Sequence, residues 1–167
     1  MENKKNNSLI GASGCFYVMS KLAYENIHAS CTFGNAPVVD ILASSVDGSK
    51  TISIQVKTAH IARRTSGRGI NKKYTDLDWP LSDKAVMQNS PNLFFTLVDL
   101  WGENCKEDEN GNVINWQPTV YVIPSEDLTK ICLGMGWTPE WWRLKIGIDI
   151  MEQYKDRWDL IKDILNK

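Results

Sequence analysis

Three polar residues carry the chemistry this chain offers most directly: Asp40, Gln55 and Lys57, within the run from Pro37 to Lys57, P-V-V-D-I-L-A-S-S-V-D-G-S-K-T-I-S-I-Q-V-K. A carboxylate and an amide oxygen, helped by a main-chain carbonyl, are hard oxygen ligands. They suit Mg²⁺, which accepts few protein ligands and keeps several waters. A lysine beside such an ion can orient or deprotonate a water and offset charge on a phosphate. The competing reading is a cross-strand Asp–Lys pair on a solvated face, worth roughly 0.2–1 kcal/mol.

Positioning these groups falls to two strands, predicted over 38–46 and 51–57 around the turn Asp47-Gly48-Ser49. In the second, Ile52, Ile54 and Val56 alternate with Ser53, Gln55 and Lys57, so the polar three share one face. Pairing Asp47 with Lys50 sets Asp40 opposite Lys57. Pairing Val46 with Ser49 sets it opposite Gln55. In both registers Asp40 shares a face with Gln55 and Lys57, because directly opposed side chains project to the same side.

A second cluster follows at once. From Lys57 to Lys73 there are six basic residues, Lys57, Arg63, Arg64, Arg68, Lys72 and Lys73, and no acidic one. With Gly67 and Gly69 the segment reads as a mobile loop whose cations would meet a phosphate backbone through counterion release. An ordinary solvated basic loop is the alternative. The acidic stretch Glu103, Glu107, Asp108, Glu109 would repel nucleic acid, which directs any approach to the 63–73 side.

The remaining pattern supplies a scaffold. Residues 1–7 read as a disordered tail. Ser8 can cap a helix to about 26, with Gly11, Cys15, Val18 and Leu22 on one stripe and Gly11 and Gly14 allowing close packing. Asp78-Trp79-Pro80-Leu81 is predicted to open a helical segment to about 89, with Trp79 as a core residue. Apolar strands over 93–101 and 113–123 should form a hairpin. Ser125 caps a helix to about 133, and a last helix spans about 149–166. Trp141 and Trp142 are adjacent, cannot both face inward, and form a candidate homodimer surface.

Composition fits one α/β domain over 1–167: 43% hydrophobic, 23% charged, net charge −1. Nothing global announces nucleic acid. Cys15, Cys31, Cys105 and Cys132 contain no C-x-x-C, which argues against zinc and for free thiols in a reducing cytoplasm. No signal peptide or membrane span is expected. Only His28 and His60 exist, neither in a nucleophile motif, and no phosphate-cradling glycine motif occurs.

Pro-x-x-Asp, a turn, then Gln-x-Lys at the end of an apolar strand resembles the PD-(D/E)XK nuclease superfamily, with Pro37, Asp40, Gln55 and Lys57 as its motif. The family more often has Glu at the Gln55 place. The resemblance extends over most of the chain and implies a restriction-endonuclease-like fold, a central mixed β-sheet flanked by helices. It implies Mg²⁺- or Mn²⁺-dependent hydrolysis of phosphodiester bonds in nucleic acid, DNA foremost. Asp40, Gln55 and the Val56 carbonyl would be the ligands of a weakly held ion, and Lys57 would position the water. Where the family's first helix commonly carries Gly-Glu, this chain has Gly14-Cys15. The rival reading is the same fold without catalysis, holding nucleic acid or a protein partner.

Overall fold

The structure is a computed structural model of the 167-residue chain. It describes residues 6–32, 39–66, 73–82 and 88–166. Helix α1 (Asn7–Tyr24) begins one residue before the serine expected to cap it. Asn6 is the cap, its side chain accepting from the Ser8 N–H at 2.9 Å.

The α1 stripe packs on a five-stranded sheet in the order β1 (His28–Cys31), β2 (Ile41–Ser44), β3 (Thr51–Ala59), β6 (Leu93–Asp99), β9 (Thr119–Pro124). Within it β3 and β6 run parallel and the other neighbours antiparallel, so the sheet is mixed and helix-flanked, as expected. Ile52, Ile54, Phe94, Val98, Val120 and Val122 form a core with Val18 and Leu22 of α1 and with Trp158, Ile161 and Leu165. Burying a side chain the size of Val18 or Leu22 contributes about 1.5–3 kcal/mol. Gly14 is the contact point: a Cβ there would stand 2.0 Å from Thr58 Oγ1. Gly11, by contrast, is exposed, with nothing within 4 Å of such a Cβ.

The opposite sheet face is covered by something the sequence pattern did not announce, a second sheet. It joins β4 (Arg63–Ser66), β5 (Lys73–Pro80) and β10 (Arg143–Gly147), with β5 in the middle. Asp78-Trp79-Pro80 therefore ends a strand, and residues 83–87 of the helical segment expected after it lie outside the described residues. Leu77 and Trp79 are buried while Asp76, Asp78 and Pro80 are more exposed, a period of two. Pro80, which has no N–H to donate, stands at the end of the ladder opposite Arg143. Trp79 is fully buried, donates to the Val98 carbonyl at 3.0 Å and meets Tyr121 edge-on at 5.6 Å. Helix α2 (Ser125–Gly134) completes this layer through Leu128 and Cys132.

The expected hairpin of β6 and β9 is present but its arms are shorter, and a small ribbon, β7 (Lys106–Glu107) with β8 (Val113–Asn115), fills the connection. The single C-terminal helix is broken in two, α3 (Ile148–Met151) and α4 (Asp159–Leu165). Between them Lys155 bridges to Tyr121 and the Asp156 N–H donates to the Val120 carbonyl at 2.8 Å. The chain leaves helical geometry there, with Asp156 at φ 52°, to satisfy the outer edge of β9. No described helix is long and apolar enough to cross a membrane.

Candidate functional site

Asp40 stands just before β2, and the ladder Ile41↔Ile54 through Ser44↔Thr51 fixes the second of the two registers, with Asp40 against Gln55. The Asp40 main chain still belongs to the sheet, its N–H donating to Ile54 O at 2.9 Å and its carbonyl accepting from Thr32 N at 3.0 Å. One step further the side chain takes over. Asp40 Oδ2 accepts from the Val56 N–H at 2.7 Å and from Gln55 Nε2 at 2.5 Å. A carboxylate here does the work of a strand, and β2 has no further rung to offer β3.

That contact fixes the orientation of the Gln55 amide, since a carboxylate only accepts and the NH₂ must face it. It also places a main-chain group. N–H and C=O of one strand residue leave the same edge, so the Val56 carbonyl lies on the Asp40 side of β3. Gln55 and Lys57 share the face turned towards the second sheet, across the parallel ladder from Phe95 and Leu97. This face is not open as a solvated patch would be: Gln55 is 9% exposed, while Asp40 and Lys57 are half-buried. Pro37 of the motif lies outside the described residues.

Helix α1 packs on the other face, the side of Ile52 and Ile54. Cys15 therefore approaches Asp40 from across the sheet, not from beside Gln55. Burial, the neighbouring Cys31 and the Asp40 charge push its thiol up to about 12, so it is neutral at physiological pH. It adds no negative charge where the resembling family has an acid. Among the described residues no three His, Cys, Asp or Glu side chains gather as a metal cluster.

The basic residues divide. Arg63 and Arg64 are strand residues of β4, paired with β5, and both are engaged. Arg63 Nε lies 3.2 Å from Asp99 Oδ2, Nη2 donates to the Trp101 carbonyl at 2.6 Å, and the guanidinium covers the Tyr74 ring at 5.0 Å. Arg64 Nε donates to Asp78 at 3.1 Å, and Arg143 takes the other oxygen of that carboxylate at 2.7 Å. Lys73 is exposed at the start of β5. Arg68 and Lys72 lie outside the described residues.

Sequence reasoning missed Asp99, 1% exposed at the end of a fully buried strand whose only other polar residue is Thr96. It accepts from the Ala62 N–H at 2.9 Å, and burial raises its carboxyl above the ordinary value even with Arg63 beside it. A lone acid closing an apolar strand had to find a cation, and the neighbouring Arg run was the signal.

Trp141 and Trp142 are 54% and 74% exposed, and Trp142 holds a left-handed φ of 54°. Comparison of the chain with family models, with curated proteins and with solved structures found no match in any of the three.

Proposed function

We propose that the Asp40–Gln55–Lys57 site binds a divalent cation and a phosphodiester, and that the protein is a metal-dependent nuclease acting on nucleic acid, DNA foremost. The observation that carries this reading is the direct contact of Asp40 with Gln55, with the Val56 carbonyl on the same strand edge and Lys57 next along the same face. One carboxylate, one main-chain carbonyl and one amide oxygen, presented once the Gln55 carboxamide turns over, form a hard-oxygen set. It fits Mg²⁺ or Mn²⁺ held weakly, with water and phosphate oxygens completing the shell. When bound, such an ion supplies Lewis-acid activation of the phosphate.

The chain's own residues do the rest. Asp40, at the mouth of β2, offers the carboxylate that draws the ion towards the β3 edge. Lys57 offsets the charge that builds on the phosphate and orients the attacking water. Lys73, with Arg68 and Lys72 of the same segment, supplies the cations for the strand backbone, since Arg63 and Arg64 are tied into the fold.

A second reading has its own support. Asp40 Oδ2 is already occupied by two donors, and Cys15, on the other face of the sheet, brings a neutral thiol and no second carboxylate. On this reading the same surface holds nucleic acid without cutting it. The deciding experiment incubates the protein with supercoiled and linear duplex DNA, single-stranded DNA and RNA, in Mg²⁺, Mn²⁺ or EDTA. Cleavage that needs metal and is lost in both Asp40→Asn and Lys57→Ala supports the nuclease. Retained binding without cleavage supports the silent module, and neither binding nor cleavage sinks both.

A further inference from the structure

The described part of the molecule holds a second donor cluster of opposite chemistry. Cys15 and Met19 are four residues apart on α1 and so share a face. Cys31 ends β1, paired with Ile41 on the sheet face that α1 covers. The three sulfurs converge: Cys15 Sγ is 3.4 Å from Cys31 Sγ, and Cys31 Sγ is 2.9 Å from Met19 Sδ. Both thiols are free, and all three residues are half-buried, shielded yet reachable.

We propose that Cys15, Met19 and Cys31 form a three-sulfur site for a soft monovalent d¹⁰ cation, Cu⁺ foremost and Ag⁺ as its chemical surrogate. Thiolate and thioether donors select Cu(I) over the hard cations that oxygen ligands hold. The donor count argues the same way. Structural zinc takes four ligands, and the nearby histidine cannot be the fourth. His28 alternates with Cys31 along β1 and falls on the opposite face. With metal–sulfur bonds of about 2.3 Å, three sulfurs in a plane stand about 4 Å apart, so the cluster opens by a small side-chain rotation. Binding is a proton exchange: Cu⁺ displaces one proton from each thiol and forms two Cu–S(thiolate) bonds and one Cu–S(thioether) bond, with two protons released. Affinity must therefore rise with pH.

The third sulfur separates this reading from simple dithiol chemistry, because a disulfide has no use for Met19. The test is an anaerobic titration of the reduced protein with Cu(I) against a chromophoric Cu(I) chelator. Wild type should take up one tightly held ion per chain, and more tightly at higher pH. Cys105→Ser, outside the cluster, should behave as wild type. Cys15→Ser and Cys31→Ser should each weaken the site by more than the roughly 10–100-fold that losing a second-shell partner costs. Met19→Leu, a volume-conserving exchange that cores tolerate, should weaken it by about tenfold, in line with loss of a supporting partner. Wild type and Cys105→Ser should gain thermal stability with added Cu(I), whereas Cys15→Ser should not, which reads the site apart from any loss of fold. Equal uptake by wild type and the double variant C15S/C31S overturns the proposal. So does an unchanged affinity in Met19→Leu. A Cys15–Cys31 disulfide, found by mass spectrometry in a chain that binds no Cu(I) after reduction, overturns it too.

Discussion

Asp40 is bound to Gln55 side chain to side chain across the first open rung of the β2–β3 ladder, and the same carboxylate oxygen holds the Val56 N–H. The acid proposed to hold the cation is thus also a piece of secondary structure, and the two roles are separable by substitution. Asp40→Ala strands a nearly buried amide and a main-chain N–H, and should cost about 1–3 kcal/mol. Asp40→Asn keeps an accepting oxygen and should cost less, while removing the charge a cation needs. Urea melts of D40A, Q55A and the double variant should give a coupling above about 0.5 kcal/mol. Additive effects would mean the contact does not form in solution.

Arg63 should behave as a structural residue. Arg63→Ala leaves Asp99 charged and buried, and should destabilise by about 3–5 kcal/mol near neutral pH. The Asp99 carboxyl is already raised by burial, so its contribution is most favourable below its unfolded value and is lost as pH rises through the folded one. Without Arg63 the folded value climbs further, so the penalty should grow from acid to neutral pH. A penalty that is flat with pH, measured by denaturant melts, would detach Arg63 from Asp99.

Nucleic-acid binding should report on the other cations. Replacing Arg68, Lys72 and Lys73 with Ala should flatten the slope of log affinity against log salt by up to about 2.7 on duplex DNA, three contacts at about 0.9 each. An unchanged slope places the binding surface elsewhere.

The two glycines of α1 should respond with opposite sign to the same change. Gly11→Ala meets open space and should stabilise by about 0.5–1 kcal/mol through helix propensity. Gly14→Ala drives a methyl into Thr58, whose hydroxyl is buried, and should destabilise by about 1–3 kcal/mol. Thermal melts of the pair, with Thr58→Ala as the relieving partner of Gly14→Ala, check both signs.

These contrasts mark what could be read from sequence. The β2–β3 pairing and the shared face of Asp40, Gln55 and Lys57 were legible because a two-residue period and a turn leave only two registers. Helix α1 was legible from its apolar stripe, and β6 and β9 from short, nearly continuous apolar runs that suit strands covered on both faces. The second sheet was not. Arg63–Ser66 carries no apolar residue, and Lys73–Pro80 buries only Leu77 and Trp79, so each strand looked like a loop or a helix start. What makes them strands is mutual pairing and a partner, β10, drawn from a distant part of the chain. The break at Asp156 was equally invisible, since its cause is the unsatisfied edge of β9.

The middle position of β5 has a consequence for how the chain assembles as it is made. Leu77 and Trp79 leave the ribosome long before Leu144 and Ile146, the residues of β10 that join the same core. Until β10 emerges, after even β9, the last strand of the first sheet, one edge of β5 stands bare beside an uncovered apolar patch. Pairing so far apart in sequence is slow, and a bare edge of this kind templates association with other chains. Synthesis therefore carries the nascent chain through an interval in which Trp79 lacks the cover that Leu144 of β10 later gives it.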